Sequence, residues 1–518
     1  MIDVVFIAPN NANSNYQKLA AEYSAIEPPT WALMLAESCR RQGFKCAIID
    51  TLAERITDEE VVYRISQLKP RIICFVVYGQ NVNAGSTSME GAIRLTNYIK
   101  EKSLKPLVGF VGSHVQALPR ETLEKETGID FAFLNEGVTS LHNILRLQGE
   151  ITVDNLFNVT GLILRSSGGV VFTGKPELVE EADLERMLPG YAWDLLPYDK
   201  FPLDLYRSPY WHADYIEEFR SPYASIQTSL GCKFKCSFCM INLINKSDEN
   251  ERGIASNYNM MRHWPVDLVV GEVKRLIELG VYTIRITDEM FLLNRKYYIP
   301  LIDKLIELNI DDKLRFWSYS RIDTVPSPEI LAKLRKAGFR WLCLGIESGN
   351  RSIRLEVAKG KFQQVDVHRV VKQIEDAGIN VMANYIFGLP GDTEETVNET
   401  FDLSVELNTL GWNTYAAMAL PGSALYEEAK ASGIRVPSEY NEFSFHAYET
   451  VPLPTKSMAA SEVLRLRDEK FTEYFSRTDF LMKIERNFGA SARTNIMDMV
   501  KVSLRRKIIE ENQTTGRE

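Results

Sequence analysis

The chain has 518 residues, 45% of them hydrophobic and 25% charged, which predicts a folded protein of two to four domains. Its formal net charge of −9 excludes a bulk basic field, so neither nucleic acid nor an anionic membrane is an expected partner. Seven cysteines without a regular framework indicate a reducing cytoplasm rather than a disulfide scaffold. The longest apolar runs fall far short of the ~20 residues that a membrane span needs.

Residues 1–150 alternate short apolar strands with helical stretches. Strands are predicted at 3–8, 45–50, 71–78, 106–112 and 130–134. Helices are predicted at 30–42, 58–68, 88–100, 119–126 and 139–147. Because such βα alternation places helices on both faces of a parallel sheet, we expect residues 1–150 to form a Rossmann-like, doubly wound α/β domain.

Residues 151–221 are expected to connect this domain to the next one. Two short apolar runs, 162–165 and 170–173, flank Ser-Ser-Gly-Gly, which is typical of a β-hairpin. An irregular stretch rich in proline, tyrosine and tryptophan follows. We expect this stretch to pack across two domains.

Residues 222–430 show a second alternation of strands and helices. Strands are predicted at 225–230, 282–287, 314–320, 341–347, 380–387 and 414–420. Helices are predicted at 266–279, 297–307, 328–337, 366–377 and 394–407. Six such units predict a partial (β/α)6 barrel, related in layout to the (β/α)8 barrel. Residues 431–518 are expected to form a helical C-terminal region.

Three cysteines lie close together in the loop after the first strand of the predicted barrel. Cys232, Cys236 and Cys239 have the spacing C-x3-C-x2-C. Thiolates are soft ligands, and three so close together suit a metal cluster. A structural zinc site needs four ligands, whereas a 4Fe–4S cube held by three thiolates keeps one iron free for a small molecule. The alternative is a zinc site completed by another residue, for example His263.

Polar residues and tight turns follow the other barrel strands. In parallel barrels, reactive side chains gather at the carboxyl ends of the strands. A helix cap, a turn or a surface ion pair would explain any one of these residues alone, but together they predict a site. The candidates, in strand order, are Asp288 and Glu289, then Arg321, then Glu347 and Ser348, then Gly388 and Pro390 of Gly-Leu-Pro-Gly.

The order of these motifs resembles the radical S-adenosylmethionine (SAM) superfamily over about residues 222–430. The resemblance implies a 4Fe–4S cluster whose open iron chelates the amino and carboxylate groups of SAM. It further implies that Arg321 pairs with the SAM carboxylate and that the Gly-Leu-Pro-Gly backbone holds the adenine. Asp288 or Glu289 would accept from the SAM ammonium, and which of the two faces SAM stays open. The division of roles between Glu347 and Ser348, at the ribose hydroxyls or the ammonium, stays open too.

The N-terminal domain resembles the cobalamin-binding domain that often precedes radical SAM cores. The resemblance lies in Val111-Gly-Ser-His114 and Asn135-Glu-Gly137, and it implies a corrin site beyond the strand ends. The candidate contacts are Leu52, Ser86, Thr87, Gly112, Ser113, His114, Glu136 and Gly137.

One departure from that family concerns the axial ligand of cobalt. Many cobalamin domains use Asp-x-His-x-x-Gly, but here Leu52 stands in place of the histidine and Arg55 in place of the glycine. Cobalamin bound here would therefore lack that ligand. His114 is expected to be a loop or core histidine rather than a cobalt ligand. A degenerate domain that only packs or binds substrate is the alternative.

Together the resemblances imply a cytoplasmic, cobalamin-dependent radical SAM methyltransferase. It would methylate an unactivated carbon of a small molecule by a 5′-deoxyadenosyl radical, with electrons from a donor such as flavodoxin or ferredoxin. Cyclisation, ring contraction or rearrangement without methyl transfer stays open. A methylthiotransferase is disfavoured because it needs a second cysteine trio. A non-catalytic cobalamin sensor is disfavoured because it does not need the SAM-binding set. The sequence identifies no particular substrate.

Overall fold

The computed structural model describes residues 2–79, 82–196, 203–309, 311–357 and 361–515. Its strands are β1 Val4–Ala8, β2 Cys46–Asp50, β3 Ile72–Val76, β4 Leu107–Val111, β5 Phe131–Phe133, β6 Leu162–Ser166, β7 Gly169–Phe172, β8 Tyr223–Ile226, β9 Ser229–Gly231, β10 Met261–His263, β11 Thr283–Ile286, β12 Arg315–Arg321, β13 Phe339–Glu347, β14 Asn380–Phe387 and β15 Gly411–Ala416.

Helices cover both sheets and make up most of the C-terminal region. They are α1 Ala12–Tyr16, α2 Thr30–Arg41, α3 Asp58–Leu68, α4 Gly85–Glu101, α5 Ser113–Ala117, α6 Pro119–Lys125, α7 Val138–Arg146, α8 Val153–Leu156, α9 Leu184–Met187, α10 Val266–Glu278, α11 Arg295–Leu308, α12 Pro328–Ala337, α13 Arg351–Val357, α14 Val367–Asp376, α15 Glu394–Leu407, α16 Ala424–Ala431, α17 Ala460–Ser476, α18 Thr478–Phe488, α19 Ala490–Val500 and α20 Lys507–Thr515.

The first sheet confirms the predicted Rossmann-like fold, with strand order β2-β1-β3-β4-β5-β6-β7. The strands β1 to β5 run parallel. Val4 and Phe6 of β1 face one hydrophobic cluster, and Val5 and Ile7 face another. Because both faces of this parallel sheet are buried, β1, β3, β4 and β5 are apolar along their whole length.

The predicted hairpin belongs to this first sheet rather than to a separate connector. β6 pairs antiparallel with β5, and β7 pairs antiparallel with β6. Leu162, Ile163 and Leu164 are fully buried against the sheet. The hairpin thus covers the edge that β5 would otherwise leave unpaired.

The second sheet has six parallel strands in the order β15-β14-β13-β12-β11-β8. β8 and β15 lie at opposite edges, so the predicted partial barrel is confirmed. The sixth strand lies earlier than predicted, at Gly411–Ala416 rather than 414–420, in register with Met382–Phe387 of β14.

The predicted first barrel strand, 225–230, is divided into two strands. β8 stays in the barrel, whereas β9 leaves it and pairs antiparallel with β10. The Asp288 carboxylate accepts hydrogen bonds from the Thr228 backbone N–H and from the Thr228 and Ser229 hydroxyls. These hydrogen bonds stabilise the change in chain direction between β8 and β9.

The aromatic connector contacts both the first sheet and a helix of the barrel. The Tyr206 hydroxyl donates to Asp50 of the first sheet at 2.8 Å, and the Trp193 indole donates to Glu272 of α10 at 2.9 Å. Residues 197–202 of the predicted connector lie outside the described residues. α17, near the predicted 461–476, packs against β15. Within the described ranges, no helix combines the length and the apolarity of a membrane-spanning segment.

Candidate active site

The three clustered cysteines lie in the loop that follows β9, where Cys232 is buried and Cys236 and Cys239 are half-buried. The Phe234 backbone N–H is 3.4 Å from Cys232 Sγ, and the Ile241 N–H is 3.5 Å from Cys239 Sγ. Burial raises the pKa of Cys232 to about 12 and that of Cys236 to about 11. A cationic cluster would favour the thiolates. Three clustered thiols, two of which accept backbone N–H groups, fit an iron–sulfur cluster.

The geometry around these thiols does not resemble a site for one ion. In the part of the chain that the structure describes, no three His, Cys, Asp or Glu side chains converge as ligands of a single metal would. The cubane alternative differs, because each thiolate would bind a different iron. His263, the possible fourth zinc ligand, has its Nδ1 3.3 Å from Glu181 and its Nε2 3.4 Å from Asn294.

Asp288 and Glu289 have different surroundings. The Asp288 carboxylate is occupied by the three donors at Thr228 and Ser229 described above. Glu289 is half-buried. Its Oε1 is buried without a hydrogen-bond partner, and desolvation raises the pKa of its carboxyl to about 7. Both residues line the same cavity. Glu289 is therefore the carboxylate available to a cationic ligand.

Arg321 lies beside the cysteine loop, and its positive charge is paired with a neighbouring carboxylate. It forms a bidentate pair with Asp323, with Nε 2.6 Å from Oδ1 and Nη2 2.7 Å from Oδ2. The guanidinium stacks 3.6 Å from the ring centroid of Phe234, and Nη1 lies 3.9 Å from Cys236 Sγ. A SAM carboxylate would have to share Arg321 with Asp323.

Glu347 and Ser348 also separate into two roles. Glu347 has a φ of +65°, in the left-handed region, where the register between β13 and β14 breaks. Such strained backbone is often retained at functional sites. Burial raises the pKa of its carboxyl to about 7, although Arg321 opposes this. Ser348 Oγ instead lies 3.1 Å from Thr400 Oγ1 and accepts from the Asn350 N–H, so it stabilises the local turn.

The Gly-Leu-Pro-Gly turn after β14 is stabilised by hydrogen bonds to a nearby aspartate. Asp392 Oδ2 accepts from the backbone N–H groups of Gly388 at 3.0 Å and Leu389 at 2.9 Å. Gly388 has a φ of +82°, and a Cβ there would lie 2.4 Å from Val463 of α17. These two N–H groups already donate to Asp392, so they are not available to a ligand. Only the rest of the turn, including the half-buried Pro390, could contact adenine.

Two cavities adjoin each other: residues of the N-terminal domain line the larger one, and residues of both this domain and the barrel line the smaller one. The larger, about 880 Å³, follows the carboxyl ends of the first sheet, and the smaller, about 630 Å³, reaches Glu289 and Gly231 beside the cysteine loop. The two cavities share the lining residues Glu27, Pro28, Thr30, Trp31, Tyr78 and Gly79.

Leu52 and Thr87, among the predicted cobalamin contacts, line the larger cavity. Leu52 follows Asp50, whose Oδ1 accepts from the Leu52 and Ala53 N–H groups. The cavity thus has an apolar side chain where the related motif would place a histidine. A pocket lined by both apolar and polar groups at the strand ends of a doubly wound sheet fits a large organic cofactor.

The other predicted contacts of this domain are not brought to the cavity wall. His114 Nδ1 lies 2.9 Å from Ser86 Oγ, and burial lowers the pKa of His114 to about 3. Ser113 donates to the Val82 carbonyl. The remaining three predicted contacts have structural roles instead. A Cβ at Gly112 would lie 2.6 Å from Val77, Glu136 pairs with Arg262 of β10, and Gly137 precedes α7 with a φ of +82°.

Glu27, Arg285 and Asn83 are not among the residues that the sequence predicts. Arg285 of β11 contacts Glu27 at 2.6 Å in a buried ion pair between the domains. Asn83 reaches the cysteine loop from the first domain. Single-sequence motifs do not reveal such contacts, because Glu27 and Arg285 are 258 positions apart.

Two family models match the chain: the radical SAM superfamily over residues 226–404 and the B12 binding domain over residues 16–145. The uncharacterized methyltransferase PH0819 of Pyrococcus horikoshii is 24% identical over 462 residues, which cover 88% of this chain and 89% of that protein. The anaerobic magnesium-protoporphyrin IX monomethyl ester cyclase of Cereibacter sphaeroides is 22% identical over 470 residues, which cover 89% of this chain and 68% of that protein.

The fold is similar to a solved structure of the radical SAM methyltransferase TsrM from Kitasatospora setae with cobalamin and a [4Fe–4S] cluster bound. The TM-score is 0.61 at 16% sequence identity, and the match covers 97% of this chain and 99% of that one. The two domain matches confirm the predicted cofactor classes, SAM with a 4Fe–4S cluster and cobalamin. The chain is a radical SAM enzyme with a B12-binding domain ahead of its radical SAM domain.

Proposed function

We propose that this enzyme transfers a methyl group to an unactivated carbon of a small molecule. The observation that carries the proposal is the shared wall of the two cavities. Cobalamin beyond the first sheet and SAM beside the cysteine loop would then border one continuous space. A small substrate there could meet both.

When bound, the cluster and SAM would supply a 5′-deoxyadenosyl radical, and cobalamin would supply the methyl group. The protein holds and orients these groups. Cys232, Cys236 and Cys239 would hold the cluster. Glu289 and Glu347 would accept from the SAM ammonium or ribose hydroxyls, since a nearby cation favours the charged form of a buried carboxyl.

Residues that line both cavities are held by an interdomain ion pair and by an aromatic contact. Arg285 Nη1 donates to both carboxylate oxygens of Glu27, at 2.6 and 2.7 Å, so the Glu27 carboxylate is paired. Trp31 and Tyr78 pack edge to face with ring centroids 5.4 Å apart. These contacts hold in place the part of the lining that the two cavities share.

The second candidate function is cyclisation, ring contraction or rearrangement without methyl transfer. The similarity to the magnesium-protoporphyrin ester cyclase, over 89% of the chain, favours it specifically. The same cysteine loop and the same cavities would serve that reaction. The two functions differ in whether a second SAM gives up its methyl group.

The experiment that separates them is anaerobic reconstitution with iron, sulfide and cobalamin. The reconstituted protein is then incubated with candidate metabolites, SAM labelled at its methyl carbon, and either dithionite or a flavodoxin or ferredoxin system. Methyl transfer should yield 5′-deoxyadenosine and S-adenosylhomocysteine in equal amounts, with the label in the product. Product formed with 5′-deoxyadenosine but without S-adenosylhomocysteine would reject methyl transfer and support the second function.

A further inference from the structure

Asn83 reaches from the B12-binding domain to the cysteine loop of the radical SAM domain. It lies in the short turn Val82–Ala84, between β3 and α4. Its Nδ2 is 3.6 Å from Cys239 Sγ, and its Oδ1 accepts a hydrogen bond of 2.9 Å from the Met240 backbone N–H. One side chain of the first domain thus contacts a predicted cluster ligand and the residue that follows it.

The contact with Met240 determines the orientation of the Asn83 amide. A backbone N–H can only donate, so it must meet the amide oxygen, which leaves the NH2 group for the sulfur. Oδ1 also lies 3.7 Å from Cys239 Sγ, a contact that suits a protonated thiol. A thiolate only accepts. When Cys239 holds a cluster, Asn83 is therefore an N–H···S donor.

We propose that Asn83 is a positioning residue that donates a hydrogen bond to the Cys239 thiolate and raises the reduction potential of the cluster. This inference rests on the cluster of the proposed function. Hydrogen bonds to the sulfurs of a cluster help to set its potential. Reduction adds negative charge to those sulfurs, and a donor stabilises that charge.

Asn83 also lies where the two cavities meet. Val82 lines the smaller cavity and Ala84 lines the larger one. The Ile241 N–H, 3.5 Å from the same sulfur, is a donor from the cysteine loop itself. Asn83 thus adds a second donor to the same sulfur, and the residues on either side of Asn83 line the two cavities. A radical SAM domain without this N-terminal domain would lack it.

The test compares reconstituted full-length wild type with Asn83→Asp and Asn83→Ala. The aspartate keeps an oxygen for Met240 but removes the donor, whereas alanine removes both contacts. Redox titration monitored by electron paramagnetic resonance gives the ratio of reduced to oxidised cluster at a fixed solution potential. We expect this ratio to fall about tenfold in Asn83→Ala, which corresponds to about 59 mV for a one-electron couple. It should fall further in Asn83→Asp, because of the added negative charge.

Asn143→Asp is the matched control, since it adds the same charge on α7, where Asn143 accepts from Arg146 at 3.2 Å. We expect its ratio to equal that of the wild type. An unchanged ratio in Asn83 variants with full iron and sulfide content would overturn the proposal. Loss of the cluster from both Asn83 variants would overturn it as well, because Asn83 would then act in folding the loop. A wild type that binds no cluster would instead overturn the proposed function.

Discussion

Glu136 and Arg262 form a buried ion pair, 2.8 Å between Oε2 and Nη2, that joins the B12-binding domain to the radical SAM domain. Glu136 Oε1 accepts from the Val179 N–H, and Arg262 also donates to Asn245 Oδ1. Asn245 lies against Gly231, where a Cβ would be 2.1 Å from its Nδ2. The pair therefore braces the cysteine loop as well as the interface.

Glu136→Ala is expected to destabilise the apoprotein by about 3–5 kcal/mol, because it leaves the buried Arg262 without its partner. Chemical denaturation measures the loss. Asp194→Ala, which breaks an exposed pair with Arg40, is the control and should cost about 1 kcal/mol or less. A similar loss in both variants would show that the Glu136 pair has no special role.

Alanine substitution of Cys232, Cys236 or Cys239 should abolish cluster binding. Anaerobically reconstituted wild type should hold about four iron and four sulfide per chain. Cys343→Ala is the matched control. Cys343 is buried in β13, so this substitution should leave the iron content unchanged. Stoichiometric zinc without iron in the wild type would contradict the cluster assignment.

Glu289→Gln should weaken SAM binding, because it removes the unpaired carboxylate from the smaller cavity. Loss of a hydrogen bond to a charged group costs about 1.5–3 kcal/mol, or roughly tenfold to 150-fold in affinity. Equilibrium dialysis of SAM against reconstituted protein gives the affinity.

Asp288→Asn is the variant to compare with Glu289→Gln. Asp288 holds the junction of β8 and β9, so its substitution should lower the free energy of unfolding of the apoprotein, whereas Glu289→Gln should not. SAM affinity that stays at the wild-type value in Glu289→Gln would mean that Glu289 does not contact SAM.

Cobalamin bound to this chain should carry no axial histidine from the loop after β2, because Leu52 occupies that position. The visible spectrum should show the base-off form, and the cob(II)alamin paramagnetic resonance spectrum should show no nitrogen superhyperfine coupling. Leu52→His is the positive control and should introduce that coupling. Clear coupling in the wild type would refute the prediction.

His114 should make the fold less stable in mild acid. Burial lowers its pKa from an ordinary 6.5 to about 3, so below pH 6.5 the unfolded chain binds a proton that the folded chain does not. The folded state should lose about 2 kcal/mol from this group between pH 6.5 and pH 5. Denaturation midpoints of wild type and His114→Gln across this range measure it. Parallel pH profiles of the two proteins would show that His114 contributes nothing.

The sequence by itself determined the two alternating βα patterns, the cysteine triplet and the polar residues at the strand ends. These are local signals, because apolar periodicity and motif spacing depend on neighbours along the chain. The helices Asp58–Leu68, Pro328–Ala337 and Glu394–Leu407 match their predicted bounds for this reason.

Only the tertiary structure decided which residues of each candidate pair are free. The side chains of Asp288 and Ser348 form hydrogen bonds within the protein. Glu289 instead retains an unpaired oxygen, and Glu347 has a strained backbone. It alone brought Asn83 to Cys239 and Glu27 to Arg285, and it joined the hairpin to the first sheet. The physical reason is that hydrogen bonds, burial and ion pairs depend on distances in space, and these partners lie far apart along the chain.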